Sequence, residues 1–134
     1  MLNIVVPMAG LGKRFADKGY TFPKPLIEIK GRPMIEWVVR NLTPAIEHRF
    51  IFVCRREHYD QYNLHGLLRL VTPNCEIMVI DNPTEGAACT VLLTRDYIDN
   101  DDPLMIANSD QFIDGDINHF VNDAAQSGKD GHIM

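Results

Sequence analysis

The sequence has no surplus of positive charge. Its 134 residues include 13 Lys and Arg against 18 Asp and Glu, which gives a formal net charge of −5 at pH 7. A protein that binds nucleic acid mainly through the phosphate backbone needs the opposite balance. The composition therefore argues against nucleic acid as a partner, and any anion must be bound at a local site.

Cysteines and long apolar runs are also few. Cys54, Cys75 and Cys89 form no C-x-x-C pair, and an odd number of cysteines cannot all be used in internal disulfides. The N-terminal segment has no basic region, and its apolar run is interrupted at Pro7. No apolar stretch approaches the roughly 20 residues that span a bilayer. We therefore predict a cytoplasmic protein without a membrane span.

No internal repeat, Ser/Gly linker or low-complexity tract divides the chain. Because 46% of the residues are hydrophobic, 134 residues are enough for one globular core, and we predict a single domain over residues 1–134. Short apolar runs alternate with stretches of helical periodicity in the order βαβαβαβα. The predicted strands are 2–8, 50–54, 77–80 and 104–107, and the predicted helices are 35–42, 59–71, 87–98 and 117–125. This pattern is typical of an α/β fold, a mostly parallel sheet with helices on both faces.

The helix starting near residue 35 has a clear apolar stripe. Ile35, Val38, Val39 and Leu42 fall at i, i+3, i+4 and i+7, and we expect Trp37 to share this buried stripe. Pro33 suits the first turn of that helix, and Asp116 suits the cap of the helix that begins at residue 117.

A basic glycine loop follows the first predicted strand. Gly10, Gly12, Lys13 and Arg14 lie where an open α/β sheet places its ligand, at the carboxyl end of a strand. Glycine N–H groups and neighbouring cations favour a phosphate. The dinucleotide fingerprint and the Walker loop both require residues that this segment lacks. The alternative is a plain glycine turn with solvated basic side chains.

The next motif, F-P-K-P-L at residues 22–26, places Lys24 between two prolines that restrict the backbone on both sides. With the glycine loop before it, this segment resembles the sugar-phosphate nucleotidyltransferase family, whose N-terminal signature is a strand, a G-x-G-x-R loop and F-P-K-P-L. Residues 27–42 contain G-R-P-M-I and are similar to the family's following turn into a helix.

Two later segments extend the resemblance. Residues 82–88, N-P-T-E-G-A-A, are similar to the loop that contacts the nucleotide base in this family. Residues 104–110 are similar to the family's strand that ends in G-D, whose carboxylate holds Mg²⁺, although Ser109 stands where glycine is usual. Taken alone, the first segment would be a helix start and Asp110 a turn or cap residue.

The resemblance implies a Rossmann-like fold of the nucleotide-diphospho-sugar transferase (GT-A) type. It also implies transfer of a nucleotidyl group from an NTP to a sugar 1-phosphate, or a similar phosphorylated metabolite, with release of pyrophosphate. Such a reaction depends mainly on positioning and on neutralising charge. The implied roles are catalysis for Arg14 and Lys24, nucleotide binding for Ala9, Gly10, Gly12, Lys13, Arg14, Glu85 and Gly86, and Mg²⁺ binding for Asp110. The sequence at residues 22–26 and 108–110 is similar to that of family members from capsule and surface-polysaccharide synthesis.

By this resemblance the chain corresponds to the first half of such an enzyme. Residues 132–134 read as the start of a strand, so we expect a sheet interrupted there, with an exposed edge through which the chain forms homo-oligomers or aggregates. We also expect little or no transferase activity from this chain alone. Two alternatives remain: a nucleotide-binding module without catalysis, and a glycosyltransferase-like domain that binds a nucleotide-sugar.

Overall fold

The computed structural model describes residues 1–10, 17–19 and 22–134. In chain order its strands are β1 (Leu2–Pro7), β2 (Glu28–Ile29), β3 (Arg32–Pro33), β4 (His48–Arg55), β5 (Glu76–Ile80) and β6 (Leu104–Ile106). Four of them form a central parallel sheet in the order β5-β4-β1-β6, and the short strands β2 and β3 form a separate antiparallel ribbon. The predicted parallel sheet is confirmed.

Six helices lie in the described part of the chain. They are α1 (Met34–Leu42), α2 (Arg56–Gln61), α3 (Leu64–Val71), α4 (Ala87–Leu92), α5 (Arg95–Ile98) and α6 (Ile117–Gln126). The predicted helices 59–71 and 87–98 are each two helices. Asn63 interrupts the first because its φ of 49° is left-handed. The second bends at Thr94, whose buried hydroxyl donates to the Val91 carbonyl at 2.7 Å.

The two central strands are buried on both faces, as the predicted α/β arrangement requires. On one face Ile4 and Phe52 pack within a core that includes α1, α3 and the start of α6. On the other face Val5 and Ile51 pack against Val91 of α4, with α5 beside it. Fully burying one such side chain contributes about 1.5–3 kcal/mol. The all-apolar strands therefore specify a sheet that is covered on both sides.

Helix α1 buries the predicted stripe but not Trp37. Ile35, Val38, Val39 and Leu42 are all at most 3% exposed. Trp37 is only half-buried, because a residue two positions after Ile35 points to a different side of the helix. Its indole N–H donates to the Ile29 carbonyl at 2.8 Å and so ties the β2–β3 ribbon to α1.

The two helix starts for which the sequence offers capping chemistry agree with the structure to within one residue. Asp116 caps α6, since its carboxylate accepts from the Asn118 N–H at 2.9 Å. Pro33 lies at the position preceding the first residue of α1 and not within its first turn. The Asn118 side chain also accepts from the Ala45 N–H at 2.7 Å and thereby fastens α6 to the loop before β4.

The predicted strand start at residues 132–134 is wrong. This segment has no regular structure, and Ile133 is 94% exposed. The ring of His132 instead packs on Phe120 of α6, with centroids 5.2 Å apart. In the described part of the chain, no helix has both the length and the apolar character needed to cross a lipid bilayer.

Candidate functional site

A cleft of about 390 Å³ lies at the carboxyl ends of β1 and β6. These neighbouring parallel strands end at the same edge of the sheet, where open α/β folds bind ligands. The cleft is lined by residues from four chain segments: Pro7, Met8, Ala9 and Gly10; Lys24 and Pro25; Pro83, Thr84, Gly86, Ala87 and Thr90; and Asn108, Ser109 and Asp110. The structure thus brings together the described parts of the four segments that the sequence singled out, the basic glycine loop being represented by Gly10.

The floor of the cleft includes the residues that follow β1. The Met8 N–H donates to the Val53 carbonyl at 2.8 Å and extends the pairing with β4. Ala9 is buried, whereas Gly10 is exposed, and a β-carbon at position 10 would meet nothing within 4 Å. Gly10 is therefore not required for packing, and its lack of a side chain leaves room in the cleft for a ligand.

Lys24 is positioned by a short 3-10 turn, Lys24–Leu26. The turn is closed by the Leu26 N–H, which donates to the Pro23 carbonyl at 2.9 Å, and Pro25 anchors it to the protein. The Lys24 ammonium forms an ion pair with the carboxylate of Asp110. The two residues that the family resemblance places nearest the reacting phosphates are therefore in direct contact.

Asp110 is placed by the turn after β6. The Ala107 N–H donates to the Val5 carbonyl at 3.0 Å, and the Asn108 side chain donates to Gln111 at 2.8 Å. The turn brings Ser109 and Asp110 to the rim of the cleft, where 29% of the Asp110 side chain remains accessible. Its carboxylate can therefore be reached by a ligand from the cleft.

Carboxylate chemistry at the cleft suits a cation that is shared with a nucleotide. Asp110 is the single acidic residue among the described residues that line the cleft. In the described part of the chain, no three or more His, Cys, Asp or Glu side chains are arranged so that they could hold a metal ion together. Mg²⁺ is usually bound by one or two carboxylates together with substrate phosphates and water. The donors present fit that arrangement and do not form an all-protein cage.

Two threonines that the sequence reasoning missed lie beside Gly86. The hydroxyls of Thr84 and Thr90 lie within hydrogen-bonding distance of each other and of the Gly86 carbonyl, at 3.0 and 3.2 Å from that oxygen. Because each hydroxyl has one proton, two of these three hydrogen bonds form at a time. Thr90 is buried, and its position four residues after Gly86 places it one helical turn further along. The four-residue spacing of Gly86 and Thr90 is the feature of the sequence that could have predicted this contact. Glu85, by contrast, is exposed and is not among the residues that line the cleft.

The basic glycine loop predicted to bind phosphate falls largely outside the described residues. Gly12, Lys13 and Arg14 belong to the 11–16 segment, of which the structure gives no description, so their roles stay predictions.

Two arginines at the end of β4 are engaged in ion pairs. Arg55 donates to Glu57 at 2.8 Å, and Arg56 pairs with Asp81, which follows β5. The hydrogen bond from Arg56 to Asp81 raises the pKa of Arg56. Burial, with a contribution from the Arg55 charge, lowers the pKa of His58. None of these side chains lines the cleft.

Residues 4–134, nearly the whole chain, match the MobA-like NTP transferase domain family. The chain belongs to this family. The predicted resemblance to nucleotidyltransferases is thereby confirmed.

Among curated proteins, the chain is similar to the bifunctional protein GlmU of Methanococcus aeolicus, with 24% identity over 123 residues, 91% of this chain and 28% of that protein. It is also similar to a 2-aminoethylphosphonate cytidylyltransferase of Lancefieldella rimae, with 49% identity over 43 residues, 32% of this chain and 18% of that protein. The chain therefore spans about a quarter or less of the length of these relatives.

Among solved structures, the chain is similar to a nucleoside-diphosphate-sugar pyrophosphorylase from Vibrio cholerae RC9. The TM-score is 0.63 and the identity 26%, over 81% of this chain and 48% of that protein. This likeness confirms the predicted Rossmann-like fold, and the chain spans about half of the solved relative.

Proposed function

We propose that the chain supplies the NTP-binding part of a nucleotidyltransferase, which transfers NMP from an NTP to a sugar 1-phosphate and releases pyrophosphate. The observation that carries this proposal is the meeting of Lys24 and Asp110 in the cleft at the carboxyl ends of β1 and β6. Membership of the NTP transferase family and the likeness to a pyrophosphorylase support it.

In this reaction a phosphate oxygen of the acceptor attacks the α-phosphorus of the NTP, and the bond to the β-phosphate oxygen breaks. Lys24 stabilises the negative charge on the attacked phosphate, while Lys13 and Arg14 hold the departing pyrophosphate. Ala9, Gly10 and Gly86 bring backbone close to the nucleotide. The protein forms no covalent bond to the substrates, since alignment and charge stabilisation are sufficient for this class of reaction.

A Mg²⁺ ion is part of the proposal. Asp110 would hold it, and the ion supplies neutralisation of the charge on the phosphate oxygens. Gly12 and Glu85 complete the proposed nucleotide-binding set, Glu85 from the exposed loop beside the cleft.

The acceptor is proposed to be a sugar 1-phosphate or a similar phosphorylated metabolite. The pyrophosphorylase relative favours the sugar, and the cytidylyltransferase relative favours a phosphonate with the same kind of nucleophilic oxygen. A role in capsule or surface-polysaccharide synthesis and a cytoplasmic location are part of the same proposal. The three free cysteines suit a reducing compartment.

The proposal is tested by calorimetry of NTP binding, with and without Mg²⁺, for the wild type and for Asp110→Asn. Asp130→Asn is the matched control, because Asp130 is an exposed carboxylate away from the cleft. We expect Mg²⁺ to strengthen NTP binding in the wild type and the control but not in Asp110→Asn. If no NTP binds at millimolar concentration, the proposal is wrong.

Pyrophosphate release from NTP is then measured with sugar 1-phosphates and with 2-aminoethylphosphonate. From this chain alone we expect at most slow release, and any release should require Asp110. A second candidate, a nucleotide-binding module without catalysis, is favoured by the single carboxylate among the described cleft residues. NTP binding with no release from any acceptor would support that candidate. Tighter binding of a nucleotide-sugar than of an NTP would point to the glycosyltransferase-like alternative.

A further inference from the structure

The ion pair in the cleft joins one acidic and one basic residue that share a small volume. Among the described residues that line the cleft, Lys24 is the single basic residue and Asp110 the single acidic one. The Lys24 ammonium lies against Oδ2 of Asp110. The side chains are 33% and 29% exposed, so both groups are also accessible from the cleft.

An ammonium ion and a divalent cation compete for the same carboxylate oxygen. Two positive charges within about 4 Å of each other repel, and water that reaches them weakens this repulsion without removing it. Asp110 therefore binds a cation readily only when the Lys24 ammonium has moved elsewhere. A triphosphate in the cleft would offer the ammonium new oxygens as partners.

The backbone around Lys24 permits this movement in the side chain alone. Pro23 and Pro25 flank the lysine, Pro25 is buried, and the 3-10 turn holds the main chain in place. The lysine side chain has four methylene groups joined by rotatable bonds, so the ammonium can change partners by side-chain rotation, without a rearrangement of the fold.

We propose that Lys24 is a built-in counter-cation of Asp110, which keeps divalent cations off this carboxylate until a nucleotide draws the ammonium away. This inference rests on the proposed function, because it takes Asp110 as the cation ligand. Its consequence is that cation and nucleotide bind cooperatively, and the cooperativity is encoded in one ion pair and not in a conformational change.

The test is the affinity for Mn²⁺, used as a spectroscopic substitute for Mg²⁺, in the absence of nucleotide. Lys24→Met removes the ammonium but keeps the length of the side chain. Lys129→Met is the matched control, because it removes one positive charge from an exposed lysine outside the cleft. We expect Lys24→Met to bind Mn²⁺ about tenfold more tightly than the wild type and the control.

Two further variants locate the effect. Lys24→Arg restores the positive charge and should return Mn²⁺ affinity toward the wild-type value. The double variant Lys24→Met/Asp110→Asn should lose the gain in Mn²⁺ affinity, because the carboxylate that becomes available when the lysine is removed is no longer there. Equal Mn²⁺ affinity in Lys24→Met and wild type would overturn the proposal, and so would a gain that persists in the double variant.

A measurement on the wild type covers the case in which the Lys24 variants do not fold. The ¹³C resonance of the Asp110 carboxylate should stay in place when Mg²⁺ is added alone and shift when the same Mg²⁺ is added with NTP. A full shift with Mg²⁺ alone would overturn the proposal. NTP binding is recorded on the same samples. If NTP binds but Lys24→Met gains no Mn²⁺ affinity, the counter-cation proposal is wrong and the proposed function stands. If Mn²⁺ affinity rises but no NTP binds, Lys24 competes with the cation for Asp110, but its release by nucleotide and the proposed function are both wrong.

Discussion

At the scale of single residues, the Lys24–Asp110 ion pair contributes little to stability, and its proposed role is in the chemistry of the cleft. About a third of each side chain is exposed, and ion pairs accessible to solvent contribute about 0–1 kcal/mol to folding. The sequence identified Lys24 because two prolines restrict its backbone, and Asp110 because its segment resembles the family's strand that ends in G-D. It did not identify Thr84 and Thr90, since hydroxyl groups near a helix start are common and usually serve the helix alone.

A first prediction concerns Arg14. A glycine loop at the edge of a sheet contributes little buried area, so Arg14→Ala should leave the melting temperature nearly unchanged. If the guanidinium binds the pyrophosphate part of the NTP, the variant should bind NTP at least about tenfold more weakly, because charge-assisted bidentate pairs are strong. Calorimetry and thermal unfolding measure the two effects. A large loss of stability together with the loss of binding would show that Arg14 is structural.

A second prediction concerns the thiols. Burial, with a smaller contribution from Cys75, raises the pKa of Cys54 to about 12, whereas Cys89 is exposed. Because thiolates are the reactive form, a thiol reagent at pH 8 should modify Cys89 quickly and Cys54 only on unfolding. Cys89→Ser should abolish the fast phase. Rapid modification of Cys54 in the folded protein would contradict its place in the core.

The raised pKa of Cys54 also determines whether stability rises or falls with pH in alkaline solution. In the unfolded chain the Cys54 thiol ionises near pH 9.0, while in the folded protein it stays protonated to about pH 12. Between these values the unfolded state binds fewer protons, so the contribution of this thiol to the free energy of unfolding falls as pH rises. Cys54→Ala should have a weaker dependence on pH above 9.

At the scale of secondary-structure elements, capping residues predicted helix starts, whereas apolar periodicity did not predict where helices are interrupted. The Asp116 cap could be read from the sequence because an aspartate directly precedes the apolar periodicity. The breaks at Asn63 and Thr94 could not, since the periodicity of apolar residues continues across both. The prediction that Trp37 shares the buried stripe is wrong, because position 37 does not lie on the face of α1 that Ile35 and Val38 form.

A third prediction concerns this cap. The hydrogen bonds from Asn118 lower the pKa of Asp116 below its ordinary value of 3.8. A lowered carboxyl pKa means that the stabilisation is present above pH 3.8 and is lost as pH falls through the folded-state value. Asp116→Ala should therefore lower the melting temperature by a few degrees at pH 7 and have little effect at pH 2. Thermal unfolding by circular dichroism at both values checks this, and an equal loss at both would show that the carboxylate charge is irrelevant.

At the scale of the whole molecule, the strand order depends on contacts that no local pattern encodes. The alternation of strands and helices predicts parallel pairing. It does not specify that β1 lies between β4 and β6, an arrangement that arises when the most apolar strands occupy the centre of the sheet. The cleft exists because of that order, since it brings the ends of β1 and β6 together.

A fourth prediction concerns the outer edge of β6. In the described residues no strand pairs with this edge, and Leu104 and Ile106 are 42% and 56% exposed beside an apolar groove of about 730 Å³. Exposed apolar edges favour pairing with another chain, so we expect the protein to self-associate. Ile106→Lys should reduce this association, while Leu92→Lys, at an exposed leucine of α4, should not. Sedimentation velocity measures both, and a monomeric wild type over a wide concentration range would contradict the prediction.

The central claim is that NTP phosphates bind between Lys24 and Asp110. The most direct measurement is paramagnetic broadening of backbone amide resonances by Mn²⁺ with bound NTP, recorded on the ¹⁵N-labelled Ile106→Lys variant to limit association. Our account predicts selective broadening of Gly10, Gly86 and Asp110, with little effect on Phe120 and Ser127 of the α6 region. Broadening centred on the groove between β6 and α6, with sharp resonances around the cleft, would contradict it.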